Sequence, residues 1–112
     1  MTARNLENLL RPASIAVVGA SREMGTVGHE VLANILAAGF TGKVFAVNPK
    51  PVALAGVTWV DDVKKLPFAP DLAVIACPPL EIIAISEALG RVGTQIIVVL
   101  SDNSNKADDR AA

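Results

Sequence analysis

The apolar positions of this chain alternate between two rhythms. Short unbroken runs recur: Ile15-Ala16-Val17-Val18, Val44-Phe45-Ala46-Val47, Leu72-Ala73-Val74-Ile75-Ala76, and residues 95–100. Continuous runs of β-branched and aliphatic residues predict strands covered on both faces, as in a parallel sheet. A weaker run, Val57-Thr58-Trp59-Val60, predicts a short strand third in order. Between the runs the spacing becomes helical. Val27, Val31, Leu32, Ile35 and Leu36 make one apolar stripe over residues 27–38. Ile82, Ile83, Ile85 and Leu89 make another over residues 80–92, with Glu81, Glu87 and Arg91 polar between them. This is the pattern of amphipathic helices laid on a sheet. Leu6, Leu9 and Leu10 predict a further short helix over residues 5–10, stopped by Arg11-Pro12.

The punctuation agrees. Gly39 stands where a C-terminal glycine cap belongs, and Gly93 breaks the second stripe. Asn48-Pro49-Lys50-Pro51 halts the second strand, because proline cannot continue a ladder. Asp61-Asp62 can cap a short helix reaching Leu66, closed by Pro67 and Pro70. Cys77-Pro78-Pro79 ends the fourth strand. Strands alternating with helices predict an α/β, Rossmann-like, doubly wound parallel sheet of five strands in the order 3-2-1-4-5. The winding direction then switches between strands one and four, where a ligand crevice opens at the carboxyl ends. Residues 19–28, 48–50 and 77–80 reach that crevice. One domain over residues 1–102 is expected. The polar, small residues 103–112 read as a tail that begins a following segment.

Composition narrows the partners. The 112 residues are 52% hydrophobic and carry a net charge of −1, which gives no electrostatic footprint for nucleic acid or an anionic membrane. A single cysteine excludes an internal disulfide framework and suits a reducing cytoplasm. No apolar run approaches the roughly 20 residues needed to span a bilayer. No residues have metal-ligand spacing, and no nucleophile–base–acid set is visible.

Candidate chemistry centres on the loop after the first strand. It carries Gly19, Gly25 and Gly28 and is longer than the usual two to six residues of a βα turn. Backbone N–H groups there, with the first turn of the following helix, make an anion site; the plain alternative is a turn without a ligand. The dinucleotide pattern G-x-G-x-x-G is not met, because Ser21 stands where the second glycine belongs. No carboxylate follows the second strand to accept from a ribose hydroxyl. Lys50 stands there instead, aimed by Asn48-Pro49, and a lysine meets a phosphate. The predicted ligand carries a pyrophosphate and an additional ribose phosphate; coenzyme A and NADP both qualify. Gly28 is expected where backbone approaches the pyrophosphate. His29 has no carboxylate spaced to orient it, and Cys77 and Trp59 read as packing residues.

Four motifs in order carry a resemblance: Arg11-Pro12-x-Ser14-Ile15-Ala16-Val17-Val18-Gly19-Ala20-Ser21, Gly25-Thr26-Val27-Gly28, Val47-Asn48-Pro49-Lys50 and Asp71-Leu72-Ala73-Val74-Ile75. From about Leu9 to Ser101 the chain resembles the N-terminal CoA-binding domain of the NDP-forming acyl-CoA synthetases. That domain also opens some bacterial protein lysine acetyltransferases and is similar to the first domain of the succinyl-CoA ligase α subunit. The resemblance implies that Ser21, Thr26, Val27 and Gly28 hold the CoA pyrophosphate; Gly19 opens the same loop, and Arg22 in it is a candidate to assist at the phosphates, the plain alternative being an exposed arginine. It implies that Lys50 meets the phosphate-bearing end, that Cys77, Pro78 and Pro79 lie along the pantetheine, and that Ser101 lies near the thiol; Asn48, beside Lys50 at the end of the second strand, is a further candidate contact. The family usually has a glycine soon after the fifth strand, where this chain has Ser101-Asp102-Asn103. In the family a histidine of the next domain carries the phosphoryl group and a separate grasp domain binds the nucleotide. This chain is therefore expected to bind CoA without turning over alone, to work with further synthetase domains or a partner subunit, and to expose surface through which it could self-associate. The competing readings are an NADP-binding domain of an oxidoreductase and a stand-alone CoA or nucleotide sensor.

Overall fold

A computed structural model describes residues 11–20, 26–50 and 56–100. Its elements are β1 (Ser14–Val18), α1 (Val27–Ala37), β2 (Lys43–Val47), β3 (Thr58–Val60), a 3-10 turn (Val63–Lys65), β4 (Leu72–Ile75), α2 (Pro79–Val92) and β5 (Ile96–Val99). All neighbouring strands are parallel, in the order β3-β2-β1-β4-β5. The expected helix over residues 5–10 and the polar tail lie outside the described residues.

The central strand explains why the apolar runs are unbroken. All five residues of β1 are buried. Ile15 and Val17 face the α1 side, where they pack with Leu32, Val44 and Ala46. Ala16 and Val18 face the α2 side, with Phe45, Val47, Ile75 and Leu89. Each helix drives one fully buried leucine into the sheet, Leu32 from α1 and Leu89 from α2. Truncating either to alanine costs about 2–5 kcal/mol by the usual cavity cost. Trp59 packs against the α1-side cluster, as a packing residue should.

Local chemistry sets the element ends. The Thr26 side chain caps α1 by accepting from the His29 N–H at 3.3 Å, and Gly39 takes the left-handed conformation past its end. α2 starts one residue earlier than the apolar spacing indicates. Pro79 occupies its first turn, where a missing N–H costs nothing and the fixed φ fits. The helix expected after Asp61-Asp62 shrinks to the 3-10 turn. Asp62 caps it by accepting from Lys64 N–H at 2.9 Å, and Pro67 pushes Leu66 into an extended conformation.

Candidate functional site

At the carboxyl edge β1 is gripped from both sides before the chains part. The Gly19 N–H donates to Val47 at 2.9 Å, and the Ala76 N–H donates to Val18 at 2.8 Å. Gly19 has φ +92°, and a side chain there would come within 2.6 Å of the Ala76 carbonyl oxygen and 3.0 Å of Cys77 Sγ. Only glycine fits this turn. From here α1 goes to one face of the sheet and α2 to the other, so the switch point lies where the sequence places it.

Gly28 has a packing role that the sequence did not show. It is buried in the first turn of α1, and an added Cβ would run into the Gly19 carbonyl oxygen. Its missing side chain lets the helix sit directly on the β1 turn. A branched side chain at Gly28 would therefore strike the protein's own backbone as well as crowding the ligand edge.

A cleft of about 660 Å³ opens at the ends of β1, β2, β3 and β4 on the α2 side of the sheet. Its volume lies within the usual range for small-molecule sites, about 300–1,000 Å³. Val18 and Val47 form part of its apolar lining, with Val63 and the inner face of α2 (Ala84, Ile85, Ala88). Its charged lining is Asp61, Asp62, Lys64, Glu81 and Arg91. Of the residues singled out from sequence, Gly19, Asn48, Cys77 and Pro78 line this cleft. Lys50 is exposed just beyond the lining residue Pro49, and Pro79 is exposed at the start of α2. Thr26, Val27 and Gly28 belong to α1 and its cap, across the sheet, and Gly28 packs against Gly19, which lines the cleft. Ser21, Arg22 and Ser101 lie outside the described residues.

Asn48 is hydrogen-bonded through both its side chain and its backbone. Its Nδ2 donates to the Ala20 carbonyl, and its Oδ1 accepts from the Lys50 N–H at 2.8 Å. Its own N–H donates to Val60 at 3.1 Å, and its carbonyl accepts from Trp59 Nε1 at 2.7 Å. The Cys77 thiol is half-buried; burial first, and the Glu81 carboxylate second, push its pKa up from the ordinary value. It is a neutral thiol at pH 7, suited to an uncharged wall and not to nucleophilic attack. Sequence reading missed the cleft-lining Asp61, Asp62, Glu81 and Arg91. The available signal was positional: Glu81, Ala84, Ile85 and Ala88 follow the one-face spacing of a helix, and Asp61-Asp62 directly follows a strand at the ligand edge. Among the described residues no group of His, Cys, Asp and Glu could hold a metal ion, and no helix is long and apolar enough to cross a membrane.

Fold and edge together define an α/β domain of the doubly wound, Rossmann-like class. Residues 13–112 match the family described as CoA binding domain, and the chain belongs to that family. It is similar to trans-feruloyl-CoA synthase FCS1 of an unknown prokaryotic organism, 34% identical over 106 residues, covering 95% of this chain and 15% of that protein. The ADP-forming acetate–CoA ligase I of Archaeoglobus fulgidus is 35% identical over 102 residues, covering 91% of this chain and 15% of that protein. Among solved structures, the dinucleotide-forming acetyl-coenzyme A synthetase 1 of Ca. Korarchaeum cryptofilum, with phosphate and ADP, superposes with a TM-score of 0.81. That match has 35% identity and covers 88% of this chain and 21% of that one. The chain thus spans about a fifth or less of the length of these relatives. They support coenzyme A as the ligand and give no support to the NADP alternative.

Proposed function

We propose that this chain is the CoA-binding domain of an NDP-forming acid–CoA ligase or a related acyltransferase, holding CoA for acyl transfer. The observation that carries the reading is the cleft at the switch point, lined by a glycine turn with no room for a side chain and by Asn48 and Pro49, directly before Lys50. The residues fit the ligand. The first-turn N–H groups of Val27 and Gly28 have no intrahelical partner by helix geometry, and with Gly19 and the Ser21-Arg22 stretch they would face the pyrophosphate. Lys50 would meet the additional ribose phosphate as a point charge. Pro78 and Pro79 carry no N–H and Cys77 no charge, so the three offer the pantetheine arm a wall without competing donors, with Ser101 toward its thiol end. CoA, when bound, supplies the thiol that takes the acyl group; this chain binds and orients it.

The chemical steps fall to further synthetase domains or a partner subunit. Leu80 is 98% exposed and Ile83 73% exposed on α2, and Val99 and Leu100 are exposed where β5 ends. Apolar surface of this kind supports a neighbouring domain or a second copy docking there. A cytoplasmic location goes with this reading.

Calorimetric titration of the purified chain with CoA, dephospho-CoA and NADP tests it. CoA binds most tightly, and NADP outbinding CoA overturns the reading in favour of an oxidoreductase domain. The same chain forms no CoA thioester from acetate with ATP or GTP; turnover above a protein-free blank overturns the division of labour.

A further inference from the structure

The two loops assigned to the phosphates are joined by one side chain. Asn48 reaches back 28 residues to the Ala20 carbonyl, one residue past Gly19, with its Nδ2, while its Oδ1 takes the Lys50 N–H at 2.8 Å. Its own backbone is fixed by Val60 and Trp59. A side-chain amide has a donor end and an acceptor end in one plane, and here each end is committed to a different loop. An aspartate lacks the donor, and a serine can keep the short bond to residue i+2 but lacks the reach to Ala20.

We propose that Asn48 is a positioning residue of the CoA site, setting the glycine turn after β1 and the Lys50 turn after β2 at one fixed spacing. It acts through Ala20 and Lys50, not by contact with CoA. The inference rests on the CoA reading above and adds the link between its two phosphate subsites. A ligand with phosphates at both places gains from that spacing, because neither loop has to be ordered at the moment of binding.

The test titrates the purified parent, Asn48→Ala, Asn48→Ser, Lys50→Ala and the Asn48→Ala/Lys50→Ala pair with CoA and dephospho-CoA, with thermal unfolding recorded for each. Asn48→Ala weakens CoA about fivefold to tenfold, the scale of one or two lost hydrogen bonds. It also lowers the preference for CoA over dephospho-CoA to the level of Lys50→Ala, and the double variant lowers it no further. Asn48→Ser weakens both ligands alike and keeps most of the preference, so the proposal stays testable if Asn48→Ala does not fold. A merely structural asparagine lowers the unfolding temperature and leaves the preference at the parental value; that result in Asn48→Ala overturns the inference, as does parental affinity for both ligands in Asn48→Ser. A parent that fails to bind CoA overturns the functional reading itself, so the two failures are distinguishable.

Discussion

The two edges of the sheet use the same kinds of bonds to opposite ends. At the amino edge polar groups draw strand starts together. Lys43 N–H donates to the Ala13 carbonyl at 3.1 Å, Ala13 N–H to Asp71 Oδ2 at 2.8 Å, and Asp71 N–H to Ser14 Oγ at 3.0 Å. At the carboxyl edge β1 bonds to both neighbours and then the chains leave for opposite faces, so the bonds of Asn48 hold loops beside an opening. Each edge also has a glycine with no room for a side chain. A Cβ on Gly28 would strike the Gly19 carbonyl, and one on Gly42 would strike the Ala13 carbonyl and the Phe40 ring. Steric necessity therefore does not mark a functional glycine. Topology does, because only one edge has the switch in winding direction.

The largest expected effects break or keep that comparison directly. Gly28→Val and Gly42→Val both press a branched side chain into backbone, and each should lower stability by about 1–3 kcal/mol or more. Their effects on ligand should differ. Gly28→Val displaces the first turn of α1 from the Gly19 turn and should abolish CoA binding. Gly42→Val, once folded, should bind CoA within about twofold of the parent, the affinity being set at the other edge. Denaturant unfolding and calorimetry on the same samples separate the terms. Loss of CoA binding in folded Gly42→Val would erase the distinction between the edges.

What sequence reveals follows the same division. The strand order was legible because both-face burial leaves unbroken apolar runs, and because helices between strands restrict the connections. Gly19 and Lys50 were legible because short motifs put them next to a strand end. The bond of Asn48 to Ala20 was not legible, since it spans 28 residues and no local pattern shows it. The packing of Gly28 on the Gly19 carbonyl was hidden for the same reason: it is a tertiary contact. Asp61 and Asp62 read as a helix cap and Arg91 as a polar position of a helix, which is what charged residues beside a turn or on a helix usually are. The ligand's identity came from four motifs in order and not from composition.

Lys50 sharpens the comparison at a smaller scale. A charge-assisted contact with a phosphate contributes about 1.5–3 kcal/mol when well desolvated. Lys50 is exposed, which reduces its share to about 1 kcal/mol or less. Lys50→Ala should then reduce the preference for CoA over dephospho-CoA by up to about fivefold, with little change in unfolding temperature. Raising ionic strength should shrink the parental preference as well, because exposed charges are screened. An equal loss in Lys43→Ala, an exposed lysine at the amino edge, would show that net charge and not position governs the effect.

The smallest effect concerns Cys77, whose Sγ borders the space beside Gly19 that no side chain can enter. Burial and the Glu81 carboxylate raise its pKa, so the folded protein holds the thiol proton more tightly than the unfolded chain does. Two consequences follow with definite sign. At pH 7.5 the thiol should react with iodoacetamide more slowly than a free cysteine, and the rate should climb as pH rises. Glu81→Gln removes the second cause and should speed the reaction modestly, leaving the burial contribution in place. The favourable contribution to stability is fully present below the unfolded thiol value, about 8.5, and is lost as pH rises through the higher folded value. The unfolding temperature of the parent should therefore fall more steeply above pH 8.5 than that of Cys77→Ser. Saturating CoA should slow the alkylation further, since the pantetheine would cover the Cys77-Pro78-Pro79 wall. Parental alkylation as fast as a free thiol at pH 7.5, or alkylation that CoA leaves unchanged, would remove Cys77 from the carboxyl-edge site and leave the wall to the two prolines.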